Sequence, residues 1–154
     1  MPAGSEPVRL PHTWRPFGAR VAGVLFGGML LVVCAAAWFG FDDETRAKFT
    51  VFQRGTLVFL GLLAFSAWFA LVRSRVVATT DRLVVVNGYR HHEYDWAEII
   101  AVRLPPGAPW VTLDLADGTT ASALAIQGSD GGRAQRAVRT LRTLVAASSA
   151  SRDS

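Results

Sequence analysis

The chain has 154 residues, of which 51% are hydrophobic and only 18% are charged, whereas about 25% of the residues in an average soluble domain are charged. This composition argues against an ordinary soluble globular protein. The formal net charge of +4 is smaller than the basic excess typical of nucleic-acid-binding domains, so no nucleic-acid partner is expected.

The first candidate membrane helix follows residues 1–20, which we expect to be a cytoplasmic N-terminal tail. Residues 21–41 carry no charge, and as a helix they would be roughly 32 Å long, enough to cross the hydrocarbon core of a bilayer. Cys34 is the one cysteine of the chain and lies in this run. An internal disulfide and a cysteine-based zinc site are therefore excluded.

A cleaved signal peptide is the alternative interpretation of this run. Ala35–Ala37 resembles a cleavage site, and residues 31–34 resemble a lipoprotein box. However, the apolar stretch is longer than that of a signal peptide, and Val33 stands where a lipoprotein box has a small residue. These two departures favour a transmembrane helix.

A second uncharged run, residues 55–72, predicts a second transmembrane helix after a short extracytoplasmic loop at residues 42–54. The loop is too short to form a domain, so the helices should form an antiparallel hairpin with both chain ends on one side. More basic residues flank the helices on that side than in the loop, which favours a multi-pass plasma-membrane protein with cytoplasmic termini. They are Arg9, Arg15, Arg20, Arg73, Arg75, Arg82 and Arg90, against Arg46, Lys48 and Arg54 in the loop.

Aromatic and basic residues at the helix ends are predicted to anchor the hairpin at the membrane interfaces. These residues are Trp14, Arg15, Arg20, Trp38, Trp68, Arg73 and Arg75. Alternatively, the aromatic rings simply face lipid or the neighbouring helix. Gly23 and Gly27 form a G-x-x-x-G pair with Gly28 beside it, which could allow close packing within the hairpin or in a homo-oligomer.

Residues 73–146 predict a small antiparallel β-domain closed by a helix, and residues 147–154 a disordered tail. Asn87-Gly88 and Asp117-Gly118 are hairpin-turn signals, the first of type I′. A single turn anchored by Trp96 should precede the strand that begins at Ile99. Strands are expected at residues 76–79, 83–86, 89–94, 99–104, 110–115 and 119–126.

The C-terminal segment predicts an amphipathic helix over residues 133–145, with Asp130 as its N-cap. Its apolar stripe should cover an open sheet. Its opposite half carries Arg133, Arg136, Arg139 and Arg142. This basic face is either solvated or in contact with an anionic membrane surface.

The order of these elements resembles the bacterial PH-domain family called low molecular weight protein antigen 6. The resemblance rests on the Asn87-Gly88 hairpin followed by Arg90, on Trp96 to Ile99, and on the final helix. It implies a membrane α-helical hairpin plus a small α+β PH-like domain, a partly open antiparallel β-barrel capped by the C-terminal helix. Phosphoinositide-binding PH domains place several cations at the first hairpin, where this chain has only Arg82 beside Asp81.

The sequence offers no pattern typical of an active site. His91 and His92 are adjacent on a predicted strand and should point to opposite faces, which disfavours a shared metal ion. Glu93, Asp95 and Glu98 could serve as acid and base, but turn chemistry explains them better. We therefore expect no enzyme activity, no cofactor and no metal.

Three functional hypotheses follow from this organisation. The leading one is a non-enzymatic integral membrane protein that presents its PH-like domain to an unknown protein partner at the cytoplasmic membrane face. The second is a sensor of anionic lipid in the bilayer, which would use the arginines of the C-terminal helix. The third is a structural transmembrane oligomer held together through Gly23, Gly27 and Gly28.

Overall fold

The computed structural model of the chain describes residues 9–150. Two long helices, α1 (Phe17–Gly40) and α3 (Val51–Arg73), are joined through the short helix α2 (Asp43–Lys48). Both long helices are apolar and long enough to cross a membrane, and neither has a buried residue. Side chains such as Phe26 and Leu31 are about two-thirds exposed, which distinguishes these helices from the core helices of a soluble protein.

The two long helices begin earlier than the charge-free runs predicted, and the loop between them is mostly helical. Helix α1 begins four residues before Val21 and ends at Gly40. Helix α3 begins at Val51 because Thr50 and Gln53 form a capping box. The Thr50 hydroxyl accepts from the Gln53 backbone N–H (3.2 Å), and the Gln53 side-chain oxygen Oε1 accepts from the Thr50 backbone N–H (3.0 Å). Charged residues in the sequence indicate where the hydrocarbon core of the bilayer ends. The start of a helix is set instead by its capping residues, which can lie outside that core.

Within residues 9–150, seven antiparallel strands form two sheets. The first has the order β1 (His12–Trp14), β2 (Arg75–Ala78), β3 (Arg82–Asn87), β4 (Arg90–Asp95), and the second the order β5 (Ile99–Arg103), β6 (Trp110–Leu115), β7 (Thr120–Gln127). A 3-10 turn, Trp96–Glu98, connects the two sheets. The final helix is α4 (Gly132–Ala150). The predicted fold class, two long apolar helices with antiparallel strands and a C-terminal helix, is confirmed.

Strand β1 was not predicted, and it changes the domain boundaries. It precedes the helices and pairs with β2, with His12 opposite Ala78 and Trp14 opposite Val76. The domain thus includes part of the segment interpreted as a tail, and the helical hairpin is an insertion between its first two strands. The three residues His12–Trp14 are too few to show the alternating pattern of a strand, so only their pairing with β2 reveals it.

The connections between the hairpin and the domain are only one or two residues long. Only Arg15 and Pro16 separate β1 from α1, and only Ser74 separates α3 from β2. The Ser74 side chain is fully buried. Its hydroxyl donates to the Ala70 carbonyl (3.1 Å) and accepts from the Gly88 N–H (2.9 Å), which ties the end of α3 to the β3–β4 hairpin.

The core of the domain lies between the two sheets and α4. Alternate residues of the strands point inward, as expected for a half-buried sheet. Leu83 from β3, Leu113 from β6 and Leu141 from α4 are fully buried. The Trp96 side chain is also buried, and its indole N–H donates to the Thr79 carbonyl (3.1 Å).

Asn87 joins the two sheets where β3 approaches β7. Its side-chain amide donates to the Ser122 carbonyl (2.5 Å), and its side-chain oxygen accepts from the Leu124 N–H (3.0 Å). The side chain therefore completes hydrogen bonds that no strand pairing supplies at this corner. The sequence had indicated Asn87 only as a turn residue.

The β3–β4 turn differs from the predicted type I′ turn. Asn87 pairs with Arg90, so the two loop residues are Gly88 and Tyr89 rather than Asn87 and Gly88. Of these two residues, only Gly88 has a positive φ (61°). A positive φ at the first loop position alone is typical of type II′, in which glycine occupies that position. The Asp117-Gly118 turn also has its positive φ (83°) on the glycine.

Helix α4 is longer than predicted. It continues through Ala147–Ala150, the first part of the predicted disordered tail. The hydroxyls of Ser148 and Ser149 both donate to the Val145 carbonyl, at 2.8 and 3.0 Å, so these polar residues complete the last turn of the helix. Residues 151–154 of the predicted tail lie outside the described residues.

Candidate functional site

The junction between the domain and the helical hairpin is held by Asp130. Its carboxylate accepts hydrogen bonds from the backbone N–H groups of Phe17 (3.4 Å) and Gly18 (2.9 Å), the first two residues of α1. The first N–H groups of a helix lack intrahelical partners and carry the positive end of its dipole. Asp130 therefore caps α1. The prediction that it caps α4 was wrong, because sequence spacing does not show which helix end lies nearby.

Two arginines that were predicted to contact the membrane, Arg20 and Arg133, instead contact other parts of the protein. The guanidinium of Arg133 lies over the Phe17 ring, 4.0 Å from its centre. Arg20 donates from Nη2 to the Val72 carbonyl (3.3 Å) near the end of α3, where a positive charge complements the helix dipole. Both contacts fasten α1 to its neighbours on the domain side of the hairpin.

Gly23 is needed for packing inside the hairpin. A Cβ atom at this position would lie 1.6 Å from the indole nitrogen of Trp68, and that indole N–H donates to the Ala19 carbonyl (3.4 Å). A Cβ atom on Gly27 or Gly28 would meet nothing within 4 Å. Gly23 is therefore packed against α3, whereas Gly27 and Gly28 lie on a part of the α1 surface that no other described residue covers.

The remaining predicted anchors occupy both ends of the hairpin. Trp38 lies at the far end, where the Arg54 guanidinium is 5.3 Å from its ring centre. Arg15, Arg73 and Arg75 are exposed at the domain end. Trp14 instead pairs with Val76 in the sheet and packs against the domain core. The interface role of these residues stays a prediction.

The four arginines of α4 are all exposed, but they differ in their contacts. They are Arg133, Arg136, Arg139 and Arg142. Arg142 donates from Nε to the Val102 carbonyl of β5 (2.9 Å), so its side chain is held against the second sheet. Arg133 and Arg136, together with Arg15, line a cavity of about 360 Å³ between β1, β7 and α4.

The β3–β4 hairpin lies beside α3. The Tyr89 hydroxyl is 3.2 Å from the Ser66 hydroxyl, seven residues before the end of α3 at Arg73. The Tyr89 side chain is also 65% exposed. An aromatic ring with a polar tip is typical of the membrane interface, but tyrosine in a turn gave the sequence analysis no reason to place it there.

The acidic residues of β4 and the following turn are engaged in surface hydrogen bonds. Glu93 contacts His91 (3.1 Å) and Arg82 (2.5 Å), and these two donors hold the pKa of its carboxyl below the ordinary value. The Glu98 carboxylate accepts from the Asp95 N–H (2.9 Å). A general acid at neutral pH needs a raised pKa, and Glu93 is shifted in the opposite direction.

Among the described residues, neither His91 nor His92 lies in a metal-binding cluster. The rings of His92 and Tyr94 are stacked with centres 6.2 Å apart, and His91 contacts Glu93. Over residues 9–150, no group of three or more His, Cys, Asp or Glu side chains is arranged to hold a metal ion.

Comparisons with known proteins identify the family. A family model described as a bacterial PH domain matches residues 73–144. The match covers β2 to β7 and most of α4, but not β1, and of the hairpin it includes only Arg73, the last residue of α3. Uncharacterized proteins of Mycobacterium bovis and Mycobacterium tuberculosis are 32% identical over 142 residues, covering 88% of this chain and 86% of each relative. No solved structure matches. The narrower likeness to low molecular weight protein antigen 6 stays a prediction, but the chain belongs to the bacterial PH-domain family.

Proposed function

We propose that this protein is a non-enzymatic membrane module whose PH-like domain binds a protein partner at the cytoplasmic face of the plasma membrane. The observation that carries the proposal is the direct continuation of β1 into α1 and of β2 out of α3. Two short connections hold a domain in one orientation, whereas a single flexible linker would let it rotate. Such a fixed orientation is useful when a surface must face a partner at a defined height above the bilayer.

The edge of β4 is the surface that best fits a protein partner. In the described part of the chain, β4 ends the first sheet and pairs only with β3. Helix α4 packs beside β5 and the 3-10 turn and does not cover β4. Arg90 to Glu93 are all exposed. An open edge of this kind can accept an added strand from an extended peptide.

The register identifies the backbone groups that a partner strand would use. Asn87 and Arg90 close a two-residue loop, and hydrogen-bonded residues alternate along an antiparallel pair. His91 and Glu93 therefore direct their backbone N–H and C=O groups away from β3. The His91 and Glu93 side chains contact each other, and Glu93 also pairs with Arg82. The edge therefore carries charges of both signs, which disfavours pairing with unselected strands.

The absence of enzyme activity in this proposal rests on the state of the acidic residues. Glu93, Asp95 and Glu98 are hydrogen-bonded in surface pairs and turns. The shift of the Glu93 pKa is away from neutrality, so it does not prepare this group for proton transfer. The proposal accordingly includes no cofactor.

A proline substitution at the edge tests this function. The full chain carries a photo-crosslinking amino acid at His92 and is expressed in membranes of its native host. We expect a discrete crosslinked protein with His91→Ala, and its loss with His91→Pro, because proline removes the outward N–H without removing a bond to β3. Equal thermal unfolding of the two variants controls for folding.

Three results would each contradict part of the proposed function. Equal crosslinking yields from the His91→Pro and His91→Ala proteins would show that a partner does not add a strand at β4. Adducts with lipid alone would show that this edge faces the bilayer and not a protein. Protease shaving of sealed cells tests the orientation, since removal of the domain from outside would contradict cytoplasmic termini.

A further inference from the structure

A positively charged cleft lies at the junction of the domain and α1. It is formed between β1, β7 and the first turns of α4 and has a volume of about 360 Å³. We call it the arginine cleft, after Arg15, Arg133 and Arg136, which line it. Its volume lies within the range of small-molecule sites, about 300 to 1,000 Å³.

The three arginines come from two distant parts of the sequence. Arg15 follows β1, whereas Arg133 and Arg136 lie one turn apart on α4. Their convergence depends on the pairing of β1 with β2, which brings the N-terminal segment beside the C-terminal helix. From the sequence alone, Arg15 is expected among the membrane anchors and the other two on the exposed face of the C-terminal helix, so the cleft is visible only in the fold.

The charge in the arginine cleft is not neutralised by the protein. Within residues 9–150, none of the three arginines forms an ion pair. Asp130 also lines the cleft, but its two carboxylate oxygens accept hydrogen bonds from the backbone N–H groups of Phe17 and Gly18. Three arginines against one aspartate leave an excess of two positive charges. A guanidinium group can bind a phosphate through two parallel hydrogen bonds. The cleft is therefore suited to a ligand that carries a phosphate group.

The arginine cleft lies at the level where lipid headgroups would be. Phe17, which also lines the cleft, is the first residue of α1. The charge-free part of that helix begins at Val21, about 6 Å further along the axis. The headgroup region of a bilayer borders the hydrocarbon core within this distance. A lipid phosphate could reach the cleft without leaving the membrane surface.

We propose that the arginine cleft binds the phosphate of an anionic lipid headgroup, held by Arg15, Arg133 and Arg136. His12 and Thr140 also line the cleft and can hydrogen-bond to the same headgroup. A soluble phosphate has the same chemistry, but the position beside the start of α1 favours the lipid. The site is independent of the β4 edge, so either proposal can fail without the other.

Binding of short-chain lipids to the full chain tests this site. The protein is purified in a non-ionic detergent and titrated by calorimetry with dioctanoyl phosphatidylglycerol, dioctanoyl phosphatidylcholine and inorganic phosphate. We expect saturable binding of the phosphatidylglycerol, weaker binding of the zwitterionic lipid, and little binding of phosphate alone. Phosphate binding as tight as phosphatidylglycerol would overturn the lipid assignment.

Matched substitutions on one helix locate the site. Arg136→Gln removes a cation that makes no hydrogen bond within the described residues, so the fold should not change. We expect about tenfold weaker binding of phosphatidylglycerol, the loss typical of one charged hydrogen bond. Arg139→Gln removes the same charge from α4 outside the cleft and should leave the affinity unchanged. Equal losses in the two variants, or no loss in Arg136→Gln, would overturn the proposal.

Discussion

The cap that Asp130 forms on α1 makes a quantitative prediction about the junction. Asp130→Ala removes both acceptors for the Phe17 and Gly18 N–H groups and a negative charge at the positive end of the helix. Loss of an N-cap costs about 1 kcal/mol, and the interaction of the charge with the dipole adds about 0.3 to 1 kcal/mol. We expect the junction to lose about 1 to 2 kcal/mol, which is about 5- to 30-fold in its opening equilibrium.

Hydrogen exchange of the full chain in lipid nanodiscs measures this opening directly. The amides of Phe17 and Gly18 should exchange faster in Asp130→Ala by that factor. Asp130→Asn should give an intermediate rate, because the amide oxygen still accepts but the charge is gone. Ser129→Ala is the matched control, since Ser129 lies in the same turn and makes no hydrogen bond within the described residues.

One result would contradict the cap on α1. If Asp130→Ala leaves both the exchange rates and the thermal unfolding temperature at the values of the unmodified protein, the carboxylate does not cap α1. Faster exchange in Ser129→Ala would indicate a general loosening of the turn rather than a lost cap.

Three further predictions concern the sheet corner, the hairpin and an ion pair. Asn87→Ala should lower the free energy of unfolding by about 2 to 3 kcal/mol in a denaturant titration, because two backbone groups lose their partner. A loss no larger than the roughly 0.5 kcal/mol of a substitution at an exposed position would contradict the bridge between the sheets. Gly23→Ala should lower the thermal unfolding temperature, since overpacking costs about 1 to 3 kcal/mol, while Gly27→Ala should not; equal effects would place the helix contact elsewhere. The Glu93 carboxyl should titrate by NMR at a pKa below its ordinary value, so its stabilising contribution is present above that ordinary value and is lost as the pH falls through the lowered one. Arg82→Gln should move this pKa upward, and an unchanged pKa would contradict the pairing.

The position of the hairpin inside the domain has a practical consequence. An isolated fragment that begins at Arg75 lacks β1, which pairs with β2 along Val76 to Ala78. Such a fragment would expose the edge of β2 and remove Arg15 from the arginine cleft. Binding experiments on this protein therefore need the full chain.

Local patterns in the sequence were sufficient for most elements. The long apolar runs predicted both helices, and the β-branched segments between turn residues predicted six strands in the right order. The Trp96 turn and the apolar stripe of α4 were also visible, because hydrophobic period and turn chemistry act over a few neighbouring residues. The order of these elements also carried the resemblance to a bacterial PH-domain family, and the comparisons confirm the bacterial PH-domain family.

The tertiary structure decided which distant residues meet. Strand β1 is too short to be stable alone and exists because it adds to β2. Asp130 caps α1 rather than α4 because the folded chain brings the helix start to it, and Asn87 bridges two sheets for the same reason. The arginine cleft combines residues from both ends of the described chain. Each of these features depends on contacts between residues far apart in sequence, so composition and periodicity determined the elements, and only their packing determined the junction and its candidate sites.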